Sequence, residues 1–227
     1  MRSPLRLPPK VSVAAHAALG TKAFDSEFAW LSWAGTVWRL SAGSRVVYVK
    51  RASALSAERD RLAWLAQRLP VPELLGFFQA AGDEWLLTRE VPGVPLYHRS
   101  LDWEPERIAR RFGEILREIH SIDASACPFG VKAPGHVLIH GDFCLPNVLV
   151  DDGGRLTGLV DVGRSGLADP RDDLAAGLWT LHYNFDHGYG PQFLKSYGAP
   201  AMADREMERL RRRYGKPYKT VSTALQQ

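Results

Sequence analysis

The chain has 227 residues, of which 45% are hydrophobic and 24% are charged, and its net charge is +4 at pH 7. These values are typical of an ordinary globular protein with one large or two small domains, and the mild positive charge does not by itself indicate nucleic acid. No apolar run approaches 18 residues. At the N-terminus, His16 interrupts the apolar part and no clear cleavage site follows, so we do not expect a signal peptide. The two cysteines fit neither a metal site nor a disulfide framework. We therefore expect a soluble protein of the cytoplasm with no membrane span.

The first third of the chain predicts an antiparallel sheet with one helix. Residues 28–50 alternate aromatic and β-branched types between turn signals, as in a β-meander. Residues 54–69 place leucines at helical spacing, and prolines follow that segment. Residues 74–80 and 84–90 are two further strand candidates.

Residues 91–95, with the sequence VPGVP, are the best candidate linker. Beyond them the pattern is mainly helical, with an amphipathic helix at 104–123 and further helices at 172–185 and 203–214. The fold class is therefore predicted as α+β, with domains at 1–90 and 96–227 joined by the linker.

The stretch LIHGDFCLPNVLV (138–150) interrupts buried apolar residues with polar ones, and LTGLVDVG follows after the turn DDGG. In a hairpin with its turn at Gly153 and Gly154, the Asn147 amide and the Asp161 carboxylate converge at one end. Such hard oxygen ligands suit Mg²⁺. Asp142, in the loop entering the hairpin, could accept a proton from a hydroxyl. Taken singly, each of these residues is better explained as a turn former or cap.

The combined pattern His-Gly-Asp-x-x-x-x-Asn, with Asp-x-Gly 14 residues later, is more specific than its parts. It resembles the protein-kinase-like fold and, more closely, the aminoglycoside phosphotransferases of the 3′ branch. CPF at 127–129 and WLLTREVPGVPL at 85–96 support the same branch. The resemblance covers residues 25 to 200 approximately.

The resemblance implies a two-lobe fold, with a small antiparallel-sheet N-lobe carrying one helix and a mainly helical C-lobe. It implies ATP and Mg²⁺ as cofactors and a small-molecule acceptor. Asp142 would be the catalytic base, and Asn147 with Asp161 would hold the metal. His140 and Asp169 would support the loops structurally, and Arg164 would face the substrate.

The N-terminal part should supply the nucleotide site. Lys50 ends an apolar strand, and Glu58 falls on the apolar face of the following helix. A buried Glu needs a cationic partner, so we expect a Lys50–Glu58 ion pair that addresses the ATP phosphates. Gly35 and Thr36 are candidates for a phosphate-covering loop within 32–40, and Glu90 with Val91 are candidates for the backbone that binds adenine.

The chain departs from the family where a cationic drug would bind. Only eight residues, 130–137, separate CPF from LIHGD, where the family carries a longer insert, and the C-terminus is basic rather than acidic. A polycationic aminoglycoside needs a carboxylate-lined pocket. Besides Asp142, the candidate carboxylates are Asp172, Asp173 and Asp186, with Glu206 and Glu208 as further candidates.

Three readings of the function remain open. The first is an ATP- and Mg²⁺-dependent O-phosphotransferase acting on an aminoglycoside hydroxyl, and the second keeps this chemistry on another amino alcohol or sugar. The third is a catalytically silent kinase-like binding protein, although Lys50, Glu58, Asp142, Asn147 and Asp161 are all present. The basic run at 209–219 is expected to be a solvated helix face and a frayed tail rather than a nucleic-acid site. The sequence leaves the oligomeric state open.

Overall fold

The computed structural model describes residues 5–31 and 35–215. By their contacts, the residues group into two compact units. The first consists of Met1–Pro92 with Gly158–Gly163, and the second of Gly93–Thr157 with Arg164–Gln227. The division falls inside the predicted linker, 91–95. Residues 158–163 belong to the first unit, whereas the sequence prediction placed them in the C-terminal domain.

The first unit contains an antiparallel sheet and two helices. Its elements are α1 (Pro9–Leu19), β1 (Asp25–Leu31), β2 (Gly35–Ala42), β3 (Arg45–Ala52), α2 (Ser56–Leu65), β4 (Leu74–Ala80) and β5 (Asp83–Arg89). The five strands are ordered β1-β2-β3-β5-β4. The predicted meander and the two later strands are therefore present. Central strand β3 carries Lys50, which pairs with Val37 of β2 and Leu86 of β5.

Helix α1 was not predicted. It presents Val11, Ala15 and Leu19 to a core shared with Val49 and Leu87 of the sheet. The four-residue spacing of these side chains is a helical signal, and a proline at the first helical position is compatible with helix initiation. This helical signal was missed because the stretch was compared only with a signal peptide.

Helix α2 begins at Ser56 and ends at Leu65, so it is shorter than the predicted helix at 54–69. Leu55, Leu62 and Leu65 are buried as expected. The Glu84 carboxylate of β5 accepts hydrogen bonds from the backbone N–H groups of Leu55 and Ser56, which satisfies donors at the start of the helix. These bonds lower the pKa of Glu84. The first turn of α2 is thus tied to the sheet, and Glu58 lies in that turn.

The second unit is mainly helical. Its elements are β6 (Val94–Pro95), α3 (Pro105–His120), β7 (Val137–Ile139), β8 (Val148–Val150), β9 (Leu156–Leu159, which ends in the first unit), β10 (Gly166–Ala168), α4 (Arg171–Phe185), α5 (Gly190–Tyr197) and α6 (Asp204–Arg212). The small sheets are ordered β6-β8-β9 and β7-β10. A short 3₁₀ turn at Leu145–Asn147 enters β8.

The predicted amphipathic helix is α3, whose apolar face is buried through Ile108, Phe112, Ile115 and Ile119. Phe112 stacks on Phe143 of the His-Gly-Asp loop, with ring centroids 4.3 Å apart. This stacking couples the loop to the hydrophobic core of the unit. Among the helices that the structure describes, none has the length and apolarity needed to cross a membrane.

Helix α5 was not predicted, because it has only eight residues and begins with Gly190 and Pro191. It buries Phe193 and Leu194. Phe193 lies against Phe112 of α3, at 5.3 Å between ring centroids. A helix this short leaves too few repeats for a periodic signal in the sequence.

Candidate active site

Lys50 is the centre of a buried ionic cluster in the first unit. Its Nζ atom lies 2.6 Å from Glu58 Oε2 and 2.6 Å from Asp161 Oδ1. Lys50 and Glu58 are only 8% and 9% exposed. The predicted Lys50–Glu58 ion pair is therefore present. The contact with Asp161 was missed, since nothing in the sequence relates positions 111 residues apart.

The charge state of Lys50 follows from two opposing effects. Burial disfavours the ammonium ion, but the negative charges of Glu58 and Asp161 outweigh it and raise the pKa of Lys50. Because this pKa lies above the ordinary value, Lys50 is protonated at neutral pH. A buried, permanently charged ammonium group beside two carboxylates is suited to contact phosphate oxygens.

Asp161 adopts a left-handed backbone conformation, with φ of +59°. This conformation is uncommon for residues other than glycine, although Asp tolerates it better than most. Gly163 lies beside Glu58, because a Cβ there would be 3.4 Å from the Glu58 Cβ. The segment that carries Asp161 is therefore packed against the start of α2 within the first unit.

The His-Gly-Asp loop of the second unit requires its glycine. Gly141 has φ of +83°, and a Cβ at this position would lie 2.6 Å from both the Cβ and the carbonyl oxygen of Arg164. Any other residue would be strained and would displace the chain at Arg164. The glycine thus allows the loop before β8 and the segment before β10 to pass close to each other.

Asp173 on α4 holds the same loop. Its carboxylate accepts hydrogen bonds from the backbone N–H groups of His140 (2.6 Å) and Gly141 (2.8 Å), and His120 Nε2 lies 3.3 Å from it. The Asp173 side chain is fully buried. This corrects the prediction that Asp173 lines the substrate pocket, because a buried carboxylate engaged by backbone donors is not available to a ligand in this structure.

His140 has the buried position expected of a structural residue, at 2% exposed. Its Nδ1 atom accepts a hydrogen bond from the Asp142 backbone N–H at 3.2 Å, and Ser165 Oγ donates to its carbonyl oxygen at 3.0 Å. These bonds fix the direction in which the chain leaves the loop. The Asp142 carboxylate is thereby presented from a backbone that is bonded on both sides.

Asp142 and Asn147 are held together within the second unit. The Asn147 side-chain N–H donates to the Asp142 backbone carbonyl at 2.9 Å. This bond orients the amide so that its oxygen is the atom that could bind a cation. The Asp142 carboxylate itself accepts a hydrogen bond from the Tyr214 hydroxyl, which lies just beyond the end of α6.

Tyr214 was not predicted as a site residue, because it lies in the basic run that was interpreted as a solvated face and a frayed tail. Helix α6 has no buried residue, which agrees with a solvated face, but Tyr214 departs from that interpretation. Residues 216–219 lie outside the described part. Tyr214 is half-buried. Its ring lies 5.5 Å from that of Trp179 on α4. The alternation of arginines with Leu210 and Tyr214 is the only sequence signal for this packing.

Gly35 and Thr36 are the first residues of strand β2, and residues 32–34, which precede them in the predicted phosphate-covering loop, lie outside the described part. Gly35 pairs with Ala52, and a Cβ at Gly35 would collide with the Arg51 carbonyl oxygen. The close approach of β2 to β3 therefore explains this glycine. A role of either residue toward the nucleotide stays a prediction.

Glu90 and Val91 follow β5, as predicted for the adenine-binding segment. The Glu90 N–H already donates to the Val46 carbonyl oxygen at 3.2 Å. Because the Glu90 N–H is engaged in this bond, adenine binding would fall to other backbone groups of the segment. The roles of the Glu90 carbonyl and of Val91 stay predictions.

Two of the predicted support and substrate carboxylates are engaged by the chain's own arginines. Asp169 lies 2.6 Å from Arg171 and 3.2 Å from Arg213, and Asp172 lies 2.7 Å from Arg213. The hydrogen bonds from Arg171 and the nearby positive charges lower the pKa of Asp169 to about 2. Asp169 thus supports the start of α4, as expected of a structural residue. Asp172 is ion-paired to a residue of the chain itself.

The remaining substrate candidates are not brought together. Asp186 follows α4 and lines a hollow of about 580 Å³ with residues of α4, α5 and α6, and that lining includes no residue of the His140–Asn147 loop. Arg164 is exposed and adjoins Gly141. Contact of Arg164 or Asp186 with a substrate stays a prediction.

The donor set for a metal ion is sparse. In residues 5–31 and 35–215 there is no group of three or more His, Cys, Asp or Glu side chains that could hold one. Mg²⁺ does not need such a cage, since it is commonly bound through one or two carboxylates together with substrate phosphates and water. The carboxylate of Asp161 and the amide oxygen of Asn147 are ligands of the kind that Mg²⁺ takes.

The fold matches that of known phosphotransferases. The chain is similar to the crystal structure of a type VIII aminoglycoside-3′-phosphotransferase, with a TM-score of 0.70, 25% identity, and coverage of 87% of this chain and 97% of the other. An aminoglycoside phosphotransferase from Streptomyces rimosus gives a TM-score of 0.63 and 25% identity over 88% and 94% of the two chains. The predicted fold class, α+β of the kinase-like type, is confirmed.

Sequence comparison gives the family. The model of the phosphotransferase enzyme family (APH) matches residues 27–131 and 131–212. An aminoglycoside 3′-phosphotransferase of Niallia circulans is 26% identical over 188 residues, which are 63% of this chain and 71% of that protein. One of Streptomyces ribosidificus is 28% identical over 228 residues, 75% and 87% of the two chains. The chain belongs to the phosphotransferase enzyme family.

Proposed function

We propose that the chain transfers the γ-phosphoryl group of ATP to a hydroxyl of an aminoglycoside, in the manner of a 3′-phosphotransferase. The single observation that carries the phosphotransferase part is the buried Lys50, paired at 2.6 Å with both Glu58 and Asp161. Family membership and the names of the relatives support the aminoglycoside as acceptor.

Each residue has a distinct role in this proposal. Lys50, fixed by Glu58, contacts phosphate oxygens of the nucleotide. Asp142 accepts the proton of the acceptor hydroxyl as that hydroxyl attacks the γ-phosphorus. Asp161 and Asn147 would hold Mg²⁺, which neutralises charge on the phosphates when it is bound. Positioning and charge stabilisation, rather than covalent catalysis, supply most of the rate enhancement in such transfers.

A second acceptor class is favoured by a specific observation. Asp173 is buried, and both Asp169 and Asp172 are ion-paired with arginines of the chain. Few predicted carboxylates are therefore left in the second unit for a polycationic drug. This supports, as the second candidate, the same transfer to an amino alcohol or sugar of lower positive charge.

The same arginine contacts favour a small-molecule acceptor over nucleic acid. Arg211 and Arg212 pair with Glu208, and Arg213 pairs with Asp169 and Asp172. Arginines engaged in this way contribute less to phosphate-backbone binding.

A cytoplasmic location is a further part of the proposal. It is supported by the two free cysteines, Cys127 and Cys144, because free thiols suit a reducing compartment.

The test is ADP release with Mg-ATP across a panel that contains kanamycin, neomycin and simpler amino alcohols and sugars. We expect acceptor-dependent release, reduced by on the order of 10² to 10⁴ in Asp142→Asn, because the amide cannot take the proton. Asp152→Asn, an exposed neighbour in the turn after β8, is the matched control and should retain activity.

The pattern of activity separates the candidates. Release with kanamycin or neomycin supports the leading proposal, and release only with less charged acceptors supports the second candidate. Nucleotide binding without turnover on any acceptor would contradict both and leave a silent binding protein.

A further inference from the structure

We propose that the Tyr214 hydroxyl occupies the position at Asp142 that the acceptor hydroxyl must take, so that the end of helix α6 competes with the acceptor substrate. This inference rests on the proposed role of Asp142 as catalytic base. It makes Tyr214 a residue that governs which acceptors enter the site and how tightly they bind.

The contact has the chemistry of a bound acceptor. A general base must accept a hydrogen bond from the hydroxyl whose proton it takes. In this structure the Tyr214 hydroxyl donates to Oδ1 of Asp142. Cys144 Sγ lies 3.3 Å from the Tyr214 oxygen and 3.5 Å from the same Asp142 oxygen. The phenol and the thiol both lie against Oδ1, so a hydroxyl that approaches this oxygen from their side has to displace Tyr214.

Several contacts keep Tyr214 in this position. The preceding residue, Arg213, pairs with Asp169 and Asp172 at the start of α4. The Tyr214 ring lies 5.5 Å from the Trp179 ring, which in turn stacks on Tyr183 at 5.1 Å. The end of α6 is therefore attached to α4 by charge and by aromatic packing, one residue before and at Tyr214.

This attachment is reversible on physical grounds. The Arg213 side chain is 42% exposed, and ion pairs of such exposure contribute little to stability. An acceptor binds only those molecules in which Tyr214 is displaced. Its apparent affinity is therefore the intrinsic affinity multiplied by the fraction of such molecules. Weakening the contact should therefore lower the acceptor KM and leave the ATP KM unchanged.

The first experiment tests the contact without nucleotide or acceptor. Cys144 is 7% exposed. In a Cys127→Ser background, its reaction rate with an aromatic disulfide reagent should rise by roughly tenfold in Tyr214→Ala, because the side chain beside the thiol is gone. Arg209→Ala, an exposed position on α6, is the control and should leave the rate unchanged. Equal rates for Cys144 with and without Tyr214 would overturn the proposal.

The second experiment tests competition. Tyr214→Phe removes only the hydroxyl, and the kanamycin KM measured by ADP release should fall by roughly threefold to tenfold with little change in kcat. Tyr189→Phe removes a phenol hydroxyl elsewhere in the second unit and should leave the KM unchanged. An unchanged kanamycin KM in Tyr214→Phe would overturn the proposal. A higher KM would also overturn it, because Tyr214 would then be a substrate-binding residue.

Failure of the proposed function has a separate signature. If neither the wild type nor Tyr214→Phe turns over any acceptor of the panel, ADP release without an acceptor decides the role of Tyr214. Water is then the nucleophile that competes with the Tyr214 hydroxyl for Asp142. A rise in that release in Tyr214→Phe supports competition at Asp142, and no rise contradicts it.

Discussion

The Asp173 carboxylate determines the conformation of the candidate catalytic loop. It is fully buried and accepts the backbone N–H groups of His140 and Gly141. Its neighbour Asp172 is 40% exposed and paired only across the surface with Arg213. Two adjacent residues of the same type on one helix thus have different roles, and this makes them a matched pair.

We predict that Asp173→Ala lowers the free energy of unfolding by about 2–4 kcal/mol, because two buried backbone donors lose their acceptor. Asp172→Ala should cost less than about 1 kcal/mol, since it removes one exposed ion pair. Urea unfolding measures both. Phosphotransfer by Asp173→Asn, which keeps one acceptor oxygen, should exceed that of Asp173→Ala. Equal destabilisation by the two alanine variants would show that Asp173 does not hold the loop.

The Asp169 carboxylate makes the stability of the fold depend on pH. Its pKa of about 2 in the folded protein lies below the ordinary value of 3.8. A carboxylate with a lowered pKa stabilises the fold above its unfolded-state pKa, and the stabilisation is lost as the pH falls toward the folded-state value. The loss is therefore expected between about pH 4 and pH 2, and the exposure of the partner arginines keeps it below about 2 kcal/mol.

The corresponding measurement compares wild type with Asp169→Asn by urea unfolding at about pH 6 and about pH 3. The destabilisation by Asp169→Asn should be largest at the higher pH and should shrink at the lower one. A difference between the two proteins that stays constant with pH would mean that the Asp169 charge does not stabilise the start of α4.

At the scale of elements, the packing of α3 on α5 depends on Gly113. A Cβ at this position would collide with the Phe193 carbonyl oxygen and would lie 2.9 Å from the Tyr197 backbone nitrogen. Both are backbone atoms of a helix, so the two helices would have to separate. The small residue therefore determines how closely the helices pack.

We predict that Gly113→Ala lowers the free energy of unfolding by about 1–3 kcal/mol through overpacking, although alanine is the better helix former. Gly153→Ala, in the turn after β8, would meet only an Asp151 side-chain oxygen at 3.4 Å and should be nearly neutral. Thermal unfolding of the two variants measures the difference. A stabilised Gly113→Ala would show that α3 and α5 do not pack as closely as described.

The elements that the sequence predicted are those with long or regular patterns. Runs of aromatic and β-branched residues between turn signals predicted β2 and β3, although β3 buries residues on both faces rather than on one. The apolar stripe of α3 arises from one buried face, which the residue spacing records directly. Helices α1 and α5 were missed for different reasons. The stretch that forms α1 was considered only as a possible signal peptide. Helix α5 is too short for a periodic signal and starts with residues that resemble a turn.

At the scale of the whole molecule, each unit supplies one part of the proposed machinery. The first holds Lys50, Glu58 and Asp161 in one ionic cluster. The second holds Asp142 and Asn147 on a loop braced by Asp173. Asp142, Asn147 and Asp161 were recognisable from their spacing, because one motif places them close along the chain.

The acceptor site was much less predictable, because it is formed by tertiary contacts. The pairing of Asp169 and Asp172 with Arg213, the burial of Asp173 and the contact of Tyr214 with Asp142 join residues 33 to 72 positions apart. No local pattern encodes such pairs. Counting carboxylates in the sequence therefore overestimated the negative charge that is available to a cationic substrate.

The most direct test of the central claim is ³¹P NMR of wild-type protein incubated with Mg-ATP and kanamycin. Phosphoryl transfer to a hydroxyl predicts a new phosphate-monoester resonance that grows with ADP, and Asp142→Asn should form it far more slowly. ADP accompanied only by inorganic phosphate, or no change in the ATP resonances at all, would contradict the account.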